Sequence, residues 1–455
     1  LFAFLWLRTS VLGQVAQQNY YLGDSLKATM FTMLRGVAYY IKLLLFPINL
    51  CGDYGSYPIS YILDARVAAS AILLLSILAV GLLLIRKRPL IAFGVLFFYV
   101  MLLPVSNIIP TVNIIAERFL YTPAFGPILV VTVLVRDSKN ISKSILYPFL
   151  ATVIILFSII IFNRNIVWSG QYAFWYDVIK KMPGSSGAHY QLALNMTDAQ
   201  KRIEELKTAL SLKPAEKWAV LIISALASTY AGTGDYASAS EYYNYLLKYR
   251  PDDGTTLNNL GIAYYKKGDY QKAKEVFEGL LRHGDHSPKL LVNLGVVYDE
   301  LKEYQKATSI LNQAISVDPN YLDAYLSLGI MYNNMNKHKE AIAIYKKILD
   351  KDPEKAHLGA GETYFKMRDY ISATTELEKV VSINPKNLDA YYNLAYIHAL
   401  KRDFKSSMDW LAKAVEAGFK DFELIENDEV FAPIVGSERF TRFKMIRITE
   451  SRGER

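Results

Sequence analysis

Cysteine is almost absent from this chain of 455 residues, in which Cys51 is the only one. A single thiol excludes an internal disulfide and a cysteine-based zinc site. The sequence also contains no glycine-rich phosphate loop and no Gly-x-Ser-x-Gly element. Histidine is scarce too, and His283 and His286 are separated by a Gly-Asp turn with no third ligand near them. We therefore predict no metal site and no bound cofactor.

Charge is scarce in residues 1–165, which contain 13 basic and 5 acidic side chains. Their surplus equals the formal net charge of +8 of the whole chain, so residues 166–455 are neutral overall although they are far richer in charge. The basic character therefore belongs to the apolar part and gives no support for nucleic-acid binding. We predict a transmembrane domain over 1–165 and a separate domain after it.

Four apolar runs in this first part approach the roughly 20 residues that cross a hydrocarbon core. They lie at about 66–85, 90–109, 119–135 and 144–162. Because short basic loops stay in the cytoplasm, the loops 86–88 and 136–143 predict an orientation with 104–118 exoplasmic. Everything after residue 163 then lies in a periplasm or an organelle lumen.

Residues 28–48 are apolar overall but carry Arg35 and Lys42, which share one face of a helix with Tyr39. Because a spanning helix rarely carries two unpaired cations, we predict an interfacial or re-entrant helix on the exoplasmic side. The alternative is a spanning helix whose cations face the bundle. The apolar start Leu1–Leu7 has no initiator Met and no basic flank of a signal peptide, so we expect a fragment that begins inside a spanning helix.

A repeat with a period of 34 residues, shortened once by two, dominates the second part. A pair that ends in Ala or Gly, with Tyr three residues after it, returns at Leu226-Ala227, Leu260-Gly261, Leu294-Gly295, Leu328-Gly329 and Ala360-Gly361. This is the period of the tetratricopeptide repeat (TPR), in which the small residues let two helices approach closely. We predict about seven repeats over 188–421 that form an α-solenoid with a concave groove. A linker helix is expected at 166–187, and a C-terminal cap and tail at 422–455.

Three membrane motifs in front of these repeats resemble the transmembrane and tetratricopeptide-repeat (TMTC) O-mannosyltransferases and their bacterial relatives. The motifs are Leu43-Leu44-Leu45-Phe46-Pro47-x-x-Leu50-Cys51-x-Asp53, Ala116-Glu117-Arg118-Phe119-Leu120-Tyr121-x-Pro123-x-x-Gly126 and Arg164-Asn165-x-x-Trp168. The resemblance implies an all-α GT-C fold that moves a mannose-like sugar from a polyprenyl-phosphate carrier to protein hydroxyls. In that family the catalytic acid lies in a first exoplasmic loop ahead of the matched region. The chain is therefore expected to be an inactive C-terminal portion without a catalytic residue.

A carrier of this kind needs a cation beside its leaving phosphate. Arg35, Lys42 and Arg118, the last oriented by Glu117, are candidate phosphate contacts because their cations offer charge-assisted hydrogen bonds. The alternatives are a structural Glu117–Arg118 ion pair at a helix end and nonspecific binding of Arg35 and Lys42 to membrane lipid headgroups. For the Arg164-Asn165-x-x-Trp168 motif we expect only an aromatic residue in the interface belt.

Three asparagines occupy the same place in their repeats, directly before the Leu-Gly or Leu-Ala pair: Asn259, Asn293 and Asn393. That place usually faces the concave groove, where an amide can pair with both the N–H and the C=O of an extended peptide. They are candidate contacts for an acceptor polypeptide or partner protein, although solvated consensus residues are the alternative. The alternative for the whole chain is a membrane-anchored TPR scaffold without catalysis. Against it, an anchor needs one apolar helix rather than four or five.

Overall fold

The computed structural model describes residues 25–48, 50–54, 64–106, 115–138, 142–438, 440–441 and 444. Within these ranges all regular secondary structure is helical, which confirms the all-α prediction. The chain divides into two compact units, Leu1–Gly234 and Asp235–Arg455, and each is described by itself. The predicted start at Leu1–Leu7 and the end of the predicted tail, residues 445–455, lie outside the described residues.

Within the described residues, the first part of the first unit contains five α-helices of largely apolar sequence. They are α1 (Leu26–Leu45), α2 (Ala65–Leu83), α3 (Pro89–Leu102), α4 (Phe125–Asp137) and α5 (Lys143–Trp168). In the described part of the chain, α2 and α5 are long and apolar enough to cross a membrane. By comparison α4, with 13 residues, is only about 20 Å long, against about 30 Å for a hydrocarbon core. A bundle that crosses the membrane several times therefore stays a prediction.

Two predicted runs are shorter as helices than their apolar sequence indicates. In the run 119–135 a 3₁₀ turn, Glu117–Leu120, comes first, and α4 begins only at Phe125. Pro123 lies between them, and proline lacks the N–H that a continuous helix needs and restricts the residue before it. In the run 90–109, α3 ends at Leu102 and a 3₁₀ turn follows, whereas residues 107–109 lie outside the described residues.

Helices α3 and α4 approach each other closely at a pair of glycines. A Cβ atom on Gly94 would lie 2.7 Å from the carbonyl oxygen of Gly126, and one on Gly126 would lie 2.3 Å from that of Gly94. Only residues without side chains allow two helix backbones this near each other, as is common in membrane proteins. At one end of the same helix pair, the side chains of Arg88 and Asp137 lie 3.5 Å apart.

The segment 166–187 contains three helical pieces instead of the single predicted linker helix. Helix α5 continues to Trp168, α6 covers Gln171–Lys181, and α7 begins at Ser186. Gly170 has an extended backbone and separates α5 from α6, and Pro183 lies in the turn before α7. Three further helices complete the unit, namely α7 (Ser186–Leu194), α8 (Ala199–Ser211) and α9 (Glu216–Gly232).

The second unit is a series of antiparallel helix pairs, which confirms the predicted solenoid type. Its helices are α10 (Tyr236–Leu247), α11 (Gly254–Lys267), α12 (Tyr270–Arg282), α13 (Pro288–Glu300), α14 (Tyr304–Val317), α15 (Leu322–Asn334), α16 (His338–Lys347), α17 (Pro353–Lys366), α18 (Tyr370–Ile383), α19 (Leu388–Leu400), α20 (Phe404–Glu416), α21 (Phe422–Glu426) and α22 (Ala432–Val435). The core lies between successive helices, where Phe277, Leu294 and Leu311 are buried.

The repeated small residue is what brings the two helices of a pair together. A Cβ atom on Gly261 would lie 2.4 Å from the ring of Phe277, and one on Gly295 would lie 2.6 Å from Leu311. Each glycine thus leaves the space that the large side chain of the next helix fills. This is the contact that the Leu-Gly pattern predicts.

Each pair is also shaped by its tight turn. Asp369 and Asp403 cap the second helices by accepting hydrogen bonds from the N–H groups of Ser372 and Ser406, both at 3.1 Å. The residue just before each cap is left-handed, with φ of 61° at Arg368. After the last pair, the ring of Phe431 packs edge-on against Tyr392 and within the described residues closes the end of the core.

Candidate functional site

A cleft in the first unit combines an apolar wall with a charged end. Its volume is about 470 Å³. The wall comes from α1 and the loop after it, the 3₁₀ turn Glu117–Leu120, and α5. It consists mainly of Leu43, Leu44, Leu50, Leu120, Ile160 and Ile161. Glu117, Tyr121, Arg164, Asn165 and Trp168 supply its polar and aromatic groups. Because Ile160, Ile161, Arg164, Asn165 and Trp168 are spaced by three or four residues along α5, they share one face of that helix.

Glu117 reaches this cleft because hydrogen bonds hold both its side chain and the residue before it. The backbone N–H of Ala116 donates a hydrogen bond to the Tyr40 hydroxyl at 3.0 Å. The Tyr54 hydroxyl donates to Oε1 of Glu117 at 3.2 Å and accepts from the N–H of Cys51 at 3.1 Å. The loop after α1 is thereby tied to the turn that carries Glu117.

The carboxylate of Glu117 lies beside a guanidinium group in a poorly hydrated place. Its Oε2 atom is 3.6 Å from Nε of Arg164. Burial raises the pKa of the Glu117 carboxyl above its ordinary value, and Arg164 and the Tyr54 hydrogen bond oppose this only in part. Glu117 is therefore easier to protonate than an exposed carboxylate.

One guanidinium nitrogen of Arg164 is hydrogen-bonded, and the other two have no acceptor among the described residues. Its Nη1 donates to Oδ2 of Asp177 on α6 at 2.6 Å. Its Nε and Nη2 atoms are buried, yet no described group accepts a hydrogen bond from either. The guanidinium also lies 5.8 Å from the centre of the Trp168 ring, one helical turn along α5. A buried donor without an acceptor costs about 1–3 kcal/mol and marks a place where a further acceptor would be stabilised.

Lys181 completes the charged cluster from the same helix as Asp177. Its Nζ is 2.7 Å from Oδ1 of Asp177 and donates to the carbonyl oxygen of Leu50 at 2.5 Å. The cluster of Glu117, Arg164, Asp177 and Lys181 is neutral when all four groups are ionised. Protonation of Glu117 leaves it with one positive charge, which favours an anion in the cleft.

Of the four predicted phosphate contacts, only Glu117 lies in the cleft. The prediction that Glu117 orients Arg118 is wrong in this structure, since the described ion-pair partner of Glu117 is Arg164. Arg118 is exposed, and its guanidinium lies 5.3 Å from the centre of the Phe119 ring. Adjacent residues point in different directions, so the acid enters the cleft while the base faces outward.

The two predicted phosphate contacts of α1, Arg35 and Lys42, lie elsewhere. Arg35 lies 3.6 Å from Asp64, the residue that caps α2. Lys42 is exposed and lies 5.6 Å from the centre of the Tyr39 ring. Neither of them lines the cleft.

Sequence reasoning missed three members of the cluster. Arg164 lies in the Arg164-Asn165-x-x-Trp168 motif, from which the sequence predicts only an aromatic residue in the interface belt. Asp177 and Lys181 carried a weaker signal, an acid and a base four residues apart on one helix. In the described residues, no group of three or more His, Cys, Asp or Glu side chains could hold a metal ion.

The three predicted peptide-contact asparagines are all half-buried. The side-chain amide of Asn293 donates to Oδ1 of Asn258, the neighbour of Asn259, at 3.2 Å. This bond uses one of the donors that a bound peptide would need. Peptide binding by Asn259, Asn293 and Asn393 stays a prediction.

Comparison with known proteins supports the repeats firmly. Models of the tetratricopeptide repeat match residues 222–253, 252–320, 300–362 and 358–420. The chain therefore contains TPRs over 222–420, which confirms that prediction. The predicted first repeat, at the start of 188–421, lies ahead of the matched stretches.

A curated protein matches part of the chain. Protein O-mannosyl-transferase TMTC1 of Mus musculus is 29% identical over 194 residues, which are 39% of this chain and 21% of that protein. The matched part is thus about a fifth of the relative's length.

Solved structures of TPR proteins are similar to parts of the chain. One from Parabacteroides merdae is 20% identical with a TM-score of 0.46, and the similarity covers 54% of this chain and 97% of that one. YrrB, described as a TPR protein with an unusual peptide-binding site, is 24% identical with a TM-score of 0.32, covering 44% of this chain and 99% of that one.

Proposed function

We propose that this chain is part of a membrane glycosyltransferase of the TMTC type. It moves a mannose-like sugar from a polyprenyl-phosphate carrier to protein hydroxyls, and its cleft holds the carrier at the phosphate. The observation that carries the proposal is the Arg164 guanidinium, whose Nε and Nη2 find no acceptor among the described residues and lie at the charged end of an otherwise apolar cleft.

The chemistry of the cleft fits both parts of such a carrier. Leucine and isoleucine side chains suit an isoprenoid chain. The N–H groups of Arg164 suit phosphate oxygens, because guanidinium-to-phosphate hydrogen bonds are charge-assisted and directional. Charge develops on the phosphate as the sugar leaves, so a fixed cation there stabilises the transition state. We assign no catalytic residue in this chain.

A bilayer around the first unit is part of the proposal. No residue of helix α5 is fully buried, and Ile145 and Phe162 on it are 69% and 67% exposed. Water-soluble surfaces rarely expose so large an apolar area, whereas lipid tails would cover it. With the basic loops in the cytoplasm, the cleft and the repeats lie on the exoplasmic side.

In this proposal, the TPRs bind the acceptor polypeptide. Their groove binds an extended segment of the acceptor polypeptide, with Asn259, Asn293 and Asn393 as amide contacts. An acceptor peptide is titrated against the chain with these asparagines changed to alanine, and Asn312→Ala on α14 is the control. Equal affinity in all variants would reject the amide contacts.

Sugar transfer is tested in the protein that carries this chain together with the catalytic loop. Membranes are supplied with polyprenyl-phosphate mannose, and Arg164→Ala is compared with Arg136→Ala, an exposed arginine beside Asp137. Loss of a donor at the developing charge lowers turnover by about a hundredfold. Unchanged transfer by Arg164→Ala at normal expression would remove the cleft from the reaction.

A second candidate is a membrane-anchored scaffold, favoured by the fact that TPRs are the part matched by family models. In that case the wild-type protein binds a partner through its repeats and transfers no sugar. Transfer that depends on Arg164 would reject the scaffold.

A further inference from the structure

Asp177 lies on α6, outside the cleft, but it is bonded to Arg164, the one cation among the described residues that line the cleft. We propose that Asp177 is a positioning residue, which holds the Arg164 guanidinium so that its Nε and Nη2 donors stay available to a phosphate. This inference rests on the proposed function, because it assumes that a prenyl phosphate occupies the cleft.

The contact between the two side chains is short and protected from water. Nη1 of Arg164 lies 2.6 Å from Oδ2 of Asp177, and the two side chains are only 13% and 18% exposed. A charge-assisted hydrogen bond in such a place is stronger than one on the surface, because water and salt compete less. It fixes one nitrogen of the planar group and thereby the direction of the other two.

Asp177 is in turn held by Lys181. Nζ of Lys181 lies 2.7 Å from Oδ1 and 2.8 Å from Oδ2 of Asp177, and it also donates to the carbonyl of Leu50. Because Asp177 and Lys181 are one turn apart on α6, the helix itself sets this geometry. Lys181 satisfies the oxygen that Arg164 does not reach, and both cations bind one carboxylate without consuming the remaining donors of Arg164.

Glu117 shows what Asp177 prevents. Its Oε2 is 3.6 Å from Nε of Arg164, too far for a hydrogen bond but near enough for the guanidinium to turn towards it. Without the negative charge of Asp177, the favoured arrangement is a two-bond pair between Arg164 and Glu117. That pair consumes Nε and one further nitrogen, which are the donors that a phosphate needs.

Two probes of the same chain length separate phosphate binding from apolar binding. The purified chain in detergent is titrated with farnesyl phosphate and with farnesol, and the ratio of the two affinities measures the contribution of the phosphate. We expect Asp177→Asn to lower the affinity for farnesyl phosphate about tenfold, which corresponds to the loss of one hydrogen bond to a charged group. Its affinity for farnesol stays unchanged, which a general loss of structure would not allow.

Two further variants guard against a trivial result. Asp137→Asn removes a carboxylate that also lies near two arginines, Arg88 and Arg136, but not in the cleft, so it should leave both affinities unchanged. Asp177→Glu keeps the charge on a side chain one carbon longer and should restore most of the phosphate preference. If Asp177→Asn does not fold, the two affinities of Asp177→Glu are compared with those of the wild type instead.

The outcomes distinguish the positioning role from the proposed function. A wild-type chain that binds farnesyl phosphate no better than farnesol overturns the phosphate site and the positioning role together. The positioning role alone is overturned if Asp177→Asn keeps the wild-type preference for farnesyl phosphate over farnesol. It is also overturned if Asp177→Glu loses this preference as completely as a folded Asp177→Asn does. Loss in Asp177→Asn with recovery in Asp177→Glu supports it.

Discussion

Tyr345 in the second unit is placed so that two glycines on different helices determine how well it fits. The side chain is 2% exposed. A Cβ atom on Gly329 of α15 would lie 2.5 Å from the ring, and one on Gly359 of α17 would lie 2.4 Å from it. Gly329→Ala therefore pushes a methyl group into a rigid ring that the second glycine keeps from moving away. Overpacking of this kind costs about 1–3 kcal/mol.

The helix itself gains from the same substitution. Alanine is better than glycine inside a helix by about 0.5–1 kcal/mol. The net loss is thus about 1 kcal/mol, which lowers the unfolding midpoint of a unit this size by about 2–4 °C. Thermal unfolding followed by far-ultraviolet circular dichroism measures it. Gly279→Ala on α12 is the control, since the nearest atom to its Cβ is 4.0 Å away, and it should raise the midpoint.

A third variant tests the cause directly. Leucine takes the place of Tyr345 in neighbouring repeats, at Leu311 and Leu377. Tyr345→Leu combined with Gly329→Ala should therefore lose less stability than the sum of the two single changes. Equal shifts for Gly329→Ala and Gly279→Ala, or strict additivity with Tyr345→Leu, would show that the contact with Tyr345 does not cause the loss of stability.

Three other substitutions give results of predictable sign. Gly126→Ala should destabilise the chain in detergent, seen as a lower unfolding midpoint, because its Cβ would lie 2.3 Å from the carbonyl oxygen of Gly94. Burial raises the pKa of Glu117 above its ordinary value of 4.5, so the folded state holds the proton more tightly and stability falls as the pH rises through the window above 4.5. Glu117→Gln should flatten that slope in unfolding measured across pH. Lys302→Gly should stabilise the array by about 0.5–1 kcal/mol, because Lys302 has φ of 59° and only glycine adopts that conformation without strain.

The repeats could be predicted well because their information is local and repeated. The period places a small residue and a large one at fixed separation, and the structure brings Gly261 against Phe277 and Gly295 against Leu311 as this spacing requires. Each repeat touches its neighbours in sequence, so no distant contact had to be guessed.

The cleft could be predicted only in part because its contacts are distant in sequence. Glu117 was found as a charge between apolar runs, but its partner Arg164 is 47 positions away, on another helix. The neighbour Arg118 was a natural choice from spacing, yet consecutive residues of a turn cannot face the same way. The shortening of α4 by the turn at Pro123 is also not visible in hydropathy, which registers composition and not backbone continuity.

In the proposed function, the cleft beside Glu117 and Arg164 holds a prenyl phosphate. Photocrosslinking of a polyprenyl phosphate with a diazirine next to its phosphate, followed by peptide mapping, tests this most directly. We expect labelling in the peptides that contain Glu117–Leu120 and Ile160–Trp168, with unlabelled polyprenyl phosphate as an effective competitor. Labelling confined to other helices, or labelling that excess polyprenyl phosphate does not reduce, would contradict it.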